Sequence, residues 1–143
     1  MKKAILIIFM VLVALFPLSQ GDQGRPFDIK SLIINFDKTD AVFTVNYDLG
    51  AIPRMYVLLF GSKSIEPKIN ATFSNFDYEI IKMDQDKAIL RVKNVSRLEK
   101  GFYLHDSHKL GESVDTMIIY TPDSPHAREY SNLNSTPNTF YRS

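Results

Sequence analysis

In two stretches of this chain every second residue is apolar, and each stretch turns back on itself. Leu32, Ile34 and Phe36 lead into Asp37-Lys38-Thr39-Asp40, and Ala41, Phe43, Val45, Tyr47 and Leu49 return with Thr44, Asn46 and Asp48 between them. Successive strand residues point to opposite faces, so this pattern predicts a hairpin with one buried and one wet face. Ile81 and Met83, the turn Asp84-Gln85-Asp86-Lys87, and Ala88, Leu90 and Val92 repeat the arrangement, with Arg91 and Lys93 directed outward. Strands of this kind demand a cover on one side.

Laid on each other without gaps, the hairpins match. Ile34, Phe36, Asp37, Ala41, Val42, Phe43 and Val45 fall on Ile81, Met83, Asp84, Ala88, Ile89, Leu90 and Val92. A duplicated unit, its halves pairing about a pseudo-twofold axis, is one account. Convergence is the preferred one, because Asp favours the first turn position and a one-sided hairpin constrains the rest.

Between the hairpins the period changes. Pro53 suits a helix start, Ile52, Met55, Tyr56, Leu59 and Phe60 recur at helical spacing, and Gly61 stands where a left-handed cap is wanted. Ser64 is expected to cap a second helix over Ile65 to Phe76, with Ile69, Phe73 and Phe76 along one side. The run Met55 to Phe60 is apolar on both faces, so a buried strand is the alternative. Short strands are expected around Phe102 to Leu104 and from Val114 to Tyr120. The fold class is therefore α+β: an antiparallel sheet of four to six strands with a helical pair on its apolar face. An all-β sandwich is the alternative if 52–60 is strand. The globular domain should span 27–123, and 124–143 should be an irregular segment pinned by Tyr130, Leu133, Phe140 and Tyr141.

Residues 1–21 have the order of an export signal. Lys2 and Lys3 precede an apolar run from Ala4 to Phe16, followed by Pro17, Leu18, Ser19, Gln20 and Gly21. Crossing a bilayer takes about 20 apolar residues, and Ala4 to Phe16 falls short. Cleavage after Gly21 is expected, with 22–26 as a loose leader and an uncleaved anchor as the alternative. The chain is then exported, to the extracellular space or cell surface, with membrane contact only through an uncleaved signal.

Charge and cysteine content narrow the function. The chain has 17 basic and 16 acidic residues. A nucleic-acid binder is expected to carry a basic excess, as is a protein held on anionic lipid by charge, so neither nucleic acid nor an anionic surface is an expected partner. There is no cysteine, which excludes disulfides, thiolate catalysis and Cys-ligated zinc. Stability must come from apolar packing. Three Asn-x-Ser/Thr sequons begin at Asn70, Asn94 and Asn134; each is a glycan acceptor in a glycosylating host. Asn70 should face solvent, and Asn94 should be partly buried on the parity of Leu90 and Val92.

The signal, Ala41-Val42-Phe43-Thr44-Val45-Asn46-Tyr47, Tyr56 through Pro67 and the closing Ser135 to Tyr141 resemble small uncharacterised exported proteins of methanogenic archaea. The resemblance implies an archaeal cell-surface setting and carries no activity.

Chemistry-bearing residues are sparse. His105 and His108 flank Asp106, and His126 follows; these three histidines are the metal-ligand candidates. Solvated histidines after a strand are the plainer reading. Ser107, His108 and Asp115 supply the residue types of a hydrolytic triad, without a Gly-x-Ser-x-Gly elbow. Glu66 with Glu79 or Glu112 are carboxylate pairs whose separation decides whether they suit glycoside hydrolysis. Asp84-Gln85-Asp86 resembles the opening of a calcium loop but lacks its glycine and distal glutamate. Six scattered glycines make no phosphate-binding loop, and no cofactor is expected. The expected function is a non-catalytic extracellular or cell-envelope protein with a protein or glycan partner. Tyr103, Tyr120, Tyr130 and Tyr141 are its contact candidates. A small extracellular hydrolase or metal-binding protein is the alternative.

Overall fold

The computed structural model describes residues 26–143. The expected signal at 1–21, and the leader up to residue 25, lie outside the described residues. Strands β1 (Phe27–Asp37) and β2 (Asp40–Leu49) form the first hairpin, and β3 (Asp77–Met83) and β4 (Lys87–Lys93) form the second. Between them lie helix α1 (Ala51–Phe60), a 3-10 turn (Ser62–Ile65) and helix α2 (Glu66–Phe73). Strands β5 (Arg97–Glu99), β6 (Phe102–His105), β7 (Lys109–Tyr120), β8 (Arg128–Ser135) and β9 (Thr139–Tyr141) complete the chain. The fold is α+β.

The main sheet has six strands in the order β3-β4-β2-β1-β7-β8, and β5-β6-β9 form a second, smaller sheet. The expected all-antiparallel pairing needs correction, because β1 and β7 run parallel. After β4 the chain crosses through β5 and β6 before reaching the free edge of β1, and a crossover of that length allows parallel entry. The segment after 123 is not irregular: β8 pairs with β7, and β9 pairs with β6.

Alternation in the first hairpin translates directly into the core. Leu32, Ile34, Phe43 and Val45 are fully buried, as are Leu90 on β4 and Val114 and Met117 on β7. Two elements cover this face. Ile69 and Phe73 of α2 are fully buried, and the Phe73 ring lies 6.0 Å from that of Phe43. Toward the β1–β2 turn the small sheet takes over, with Tyr141 buried and its ring 5.0 Å from that of Phe36. The Tyr141 hydroxyl donates to the Lys38 carbonyl at 2.5 Å, so the last strand clamps the first turn.

The two hairpins pair through β2 and β4, with Ala41 opposite Val92, Phe43 opposite Leu90 and Val45 opposite Ala88. Each residue thus faces the counterpart of its own mirror position, and a local twofold axis passes through the Phe43–Leu90 pair. The symmetry breaks on the outer strands. A bulge between Ile80 and Lys82 reverses the parity of β3, so Ile81 is exposed while Ile80 packs on the core. The expectation that Ile81 faces inward fails for that reason.

Helix α1 starts at Ala51, two residues before Pro53, and Gly61 ends it with positive φ but with ψ 173°, outside the left-handed helical region. Pro53 sits in the first turn, where amide donors lack intrahelical partners. Gly61 closes the helix at φ 87°, its N–H donating to the Val57 carbonyl at 2.9 Å. Ser64 does not cap α2. Its hydroxyl donates to the Gly61 carbonyl at 3.0 Å, within the 3-10 turn, and α2 begins at Glu66 with Pro67 in its first turn. Of the expected helical pair, α2 supplies the cover. No residue of α1 is buried.

Candidate functional site

The histidines come first, because the sequence singles them out. His105 ends β6 on the inner side of the small sheet and is 2% exposed, which corrects the expectation of a solvated ring. Its Nδ1 lies 2.6 Å from the Val95 carbonyl and its Nε2 lies 2.7 Å from Thr136 Oγ1. A carbonyl only accepts, so Nδ1 carries the proton and donates, and Nε2 accepts from the threonine hydroxyl. Thr136 Oγ1 also accepts the His108 N–H at 3.0 Å. Burial holds the His105 pKa below the usual imidazole value, against the opposing pull of the Val95 carbonyl. The neutral ring is a structural tie between three separate segments.

Thr136 and His105 have the spacing of a nucleophile and base, yet Thr136 is wholly buried and no substrate reaches it. His108 stacks on His105 at 5.4 Å, with its Nδ1 2.6 Å from the Asp106 carbonyl. It lines an open groove of about 410 Å³ with Arg97, Asp106 and Asn94. His126 lies apart, in the loop before β8. Both His105 nitrogens are therefore engaged and the three rings do not converge. Among the described residues, no group of three or more His, Cys, Asp or Glu is placed to hold a metal ion.

The drawn triad does not assemble either. Ser107 is fixed through its N–H, which donates to Asn138 Oδ1 at 2.8 Å, and Asp115 pairs with Lys30 at 3.5 Å. Glu66 opens α2, on the covered face of the sheet, whereas Glu79 alternates with Tyr78 and Ile80, which pack on the core, and so points to the opposite face. Those two carboxylates do not flank one bond. Asp84 is a turn former: its Oδ1 accepts the N–H groups of Asp86 and Lys87, both at 2.9 Å. These bonds hold its carboxyl below the usual carboxylate range.

Asn70 is exposed on α2, as expected, and its side-chain oxygen accepts from the Tyr78 hydroxyl at 3.2 Å. Asn94 is also exposed, against expectation, because φ turns positive (50°) just beyond β4 and rotates the side chain outward. Asn134 is exposed on β8. In all three sequons the hydroxyl residue is buried: Thr72, Ser96 and Thr136.

The contact tyrosines expected from sequence do not form one exposed surface. Tyr141 is buried, Tyr103 and Tyr130 are half-buried against the core, and Tyr120 is exposed. Among the described residues, the large apolar surface is α1. Ile52, Met55, Tyr56, Leu58, Leu59 and Phe60 are each 53–71% exposed, and only Val57 packs on the core. One local signal pointed here: the run Met55 to Phe60 has no polar face. Beneath the helix lies an apolar cleft of about 280 Å³, lined by Phe27, Leu49, Ile52, Tyr56 and Ile65, with Lys68 at its edge. Single exposed apolar residues are ordinary; six adjoining large ones are not. The chain matches no protein-family model, no curated protein and no solved structure.

Proposed function

We propose that this chain is an exported, non-catalytic surface protein that binds a component of the cell envelope through α1 and the cleft beneath it. One observation carries the reading: six of the ten α1 residues are large apolar side chains more than half exposed, and none is buried. Leaving that surface in water is costly, at about 25 cal/mol per Å² of apolar area, and covering it on binding recovers that energy. The Lys2-Lys3 and Ala4 to Phe16 pattern supports export. The histidine network does not compete with this reading, since its hydrogen bonds serve the fold. A photo-crosslinking residue at position 59, in intact cells, tests the proposal. Adducts at 59, with none from position 140 on the small sheet, are the expected result. No adduct from 59 contradicts it.

A further inference from the structure

Resting on that reading of α1 as the binding surface, we infer that its occupant is the acyl layer of a lipid bilayer, with α1 lying in the interface. The helix has ten residues, about 15 Å, too short to cross a bilayer and suited to lying in its surface. From Met55 to Phe60 it carries no charge. A free interfacial helix needs a polar face of its own; here the protein body, contacted through Val57, takes that place.

Two further observations favour lipid. The first is charge. Arg54 is paired with Asp48 at 3.3 Å, and among the described residues no ion pair holds Lys63, Lys68 or Glu66, which leaves one net positive charge beside the helix. A positive charge beside an uncharged apolar helix complements anionic headgroups. The second is the path of the chain. The Gly50 N–H, at the start of α1, donates to the Pro26 carbonyl at 3.0 Å, and Phe27 lines the cleft. The first described residue, Pro26, therefore lies at the foot of α1. Retention of 1–21 as an anchor, the alternative to cleavage after Gly21, would put the membrane attachment a few residues before Pro26 in the chain.

The chain contains no tryptophan, so one reporter reads insertion cleanly. Leu59→Trp and, as control, Phe140→Trp are made in the full chain and reconstituted into phosphatidylglycerol vesicles with or without brominated acyl chains. The expected result is about a twofold loss of emission at position 59 in brominated vesicles, with position 140 unaffected. Quenching at both positions, or at neither, overturns the inference. Absence of quenching together with a concentration-dependent blue shift of Leu59→Trp overturns the lipid occupant in favour of a second copy, and leaves the binding surface standing. Absence of quenching, no such shift and no crosslink from position 59 in cells overturn both readings.

Discussion

Replacing His105 with leucine tests the buried network, and its effect should depend on pH. The substitution leaves the buried Val95 carbonyl without its donor, and the Thr136 hydroxyl with only the His108 carbonyl, at 3.5 Å, to donate to. An orphaned buried group costs about 1–3 kcal/mol, so the loss at pH 8 should be about 1–4 kcal/mol once the apolar burial of leucine offsets part of it. Natural domains have only about 5–15 kcal/mol to lose. The wild-type contribution is not constant. Burial depresses the His105 pKa in the folded state, below the value of about 6.5 in the unfolded chain. As pH falls through 6.5 the unfolded chain takes up a proton that the folded protein refuses. Stability from neutral His105 is therefore complete above about pH 6.5 and drains below it, at up to about 1.4 kcal/mol per pH unit, until the folded pKa is reached. Asp106 favours the charged ring and His108 disfavours it; both persist in the variant, so the difference between proteins isolates His105. Urea unfolding of wild type and His105→Leu from pH 8 to pH 5 should show a gap that narrows below pH 6.5. A gap of constant size refutes the reasoning.

Three other substitutions and one treatment have defined outcomes. A Cβ at Gly111 would overlap the Ala71 carbonyl oxygen and stand 3.1 Å from the Thr72 Cα. Gly111→Ala should therefore cost about 1–3 kcal/mol in urea unfolding by forcing α2 off β7. Leu58→Glu should change stability by less than about 0.5 kcal/mol, while Phe73→Ala on α2 should cost about 3–5 kcal/mol; equal losses in thermal unfolding would place α1 in the core. With the hydroxyls of all three sequons buried, an oligosaccharyltransferase that reads both Asn and Ser/Thr should modify the urea-unfolded chain and spare the folded one. Glycopeptide mass spectrometry of both forms checks this.

What the sequence made legible was local. Alternation over 32–49 and 88–92 needs only neighbouring residues to be read, and Pro53 and Gly61 mark the ends of α1 by their own backbone chemistry. The bulge that exposes Ile81 follows from pairing with β4 and leaves no trace in the alternation. Strand β5 has a local signal in Gly101: Lys100 and Gly101, both at positive φ (50° and 84°), form the two-residue turn joining it to β6. Strand β8 is mostly polar because it is an edge strand, and only its register with β7 identifies it. The exposure of α1 is hidden in the sequence for a similar reason. A helix apolar on all sides reads as buried, and nothing in the run 55–60 reveals that α2 and the small sheet already cover the core. The structural role of His105 is not visible in the sequence either, since its partners Val95 and Thr136 lie elsewhere in the chain.

The central claim, that α1 is covered by an envelope component in the cell, has a direct measurement. The chain contains no cysteine, so Leu59→Cys and Phe140→Cys each introduce one thiol at an exposed apolar position, 70% and 61% accessible respectively. Both should react quickly with a membrane-impermeant maleimide in the dilute purified protein. On intact cells, the account predicts that position 140 still labels while position 59 is protected. Equal labelling of the two positions on cells would contradict it.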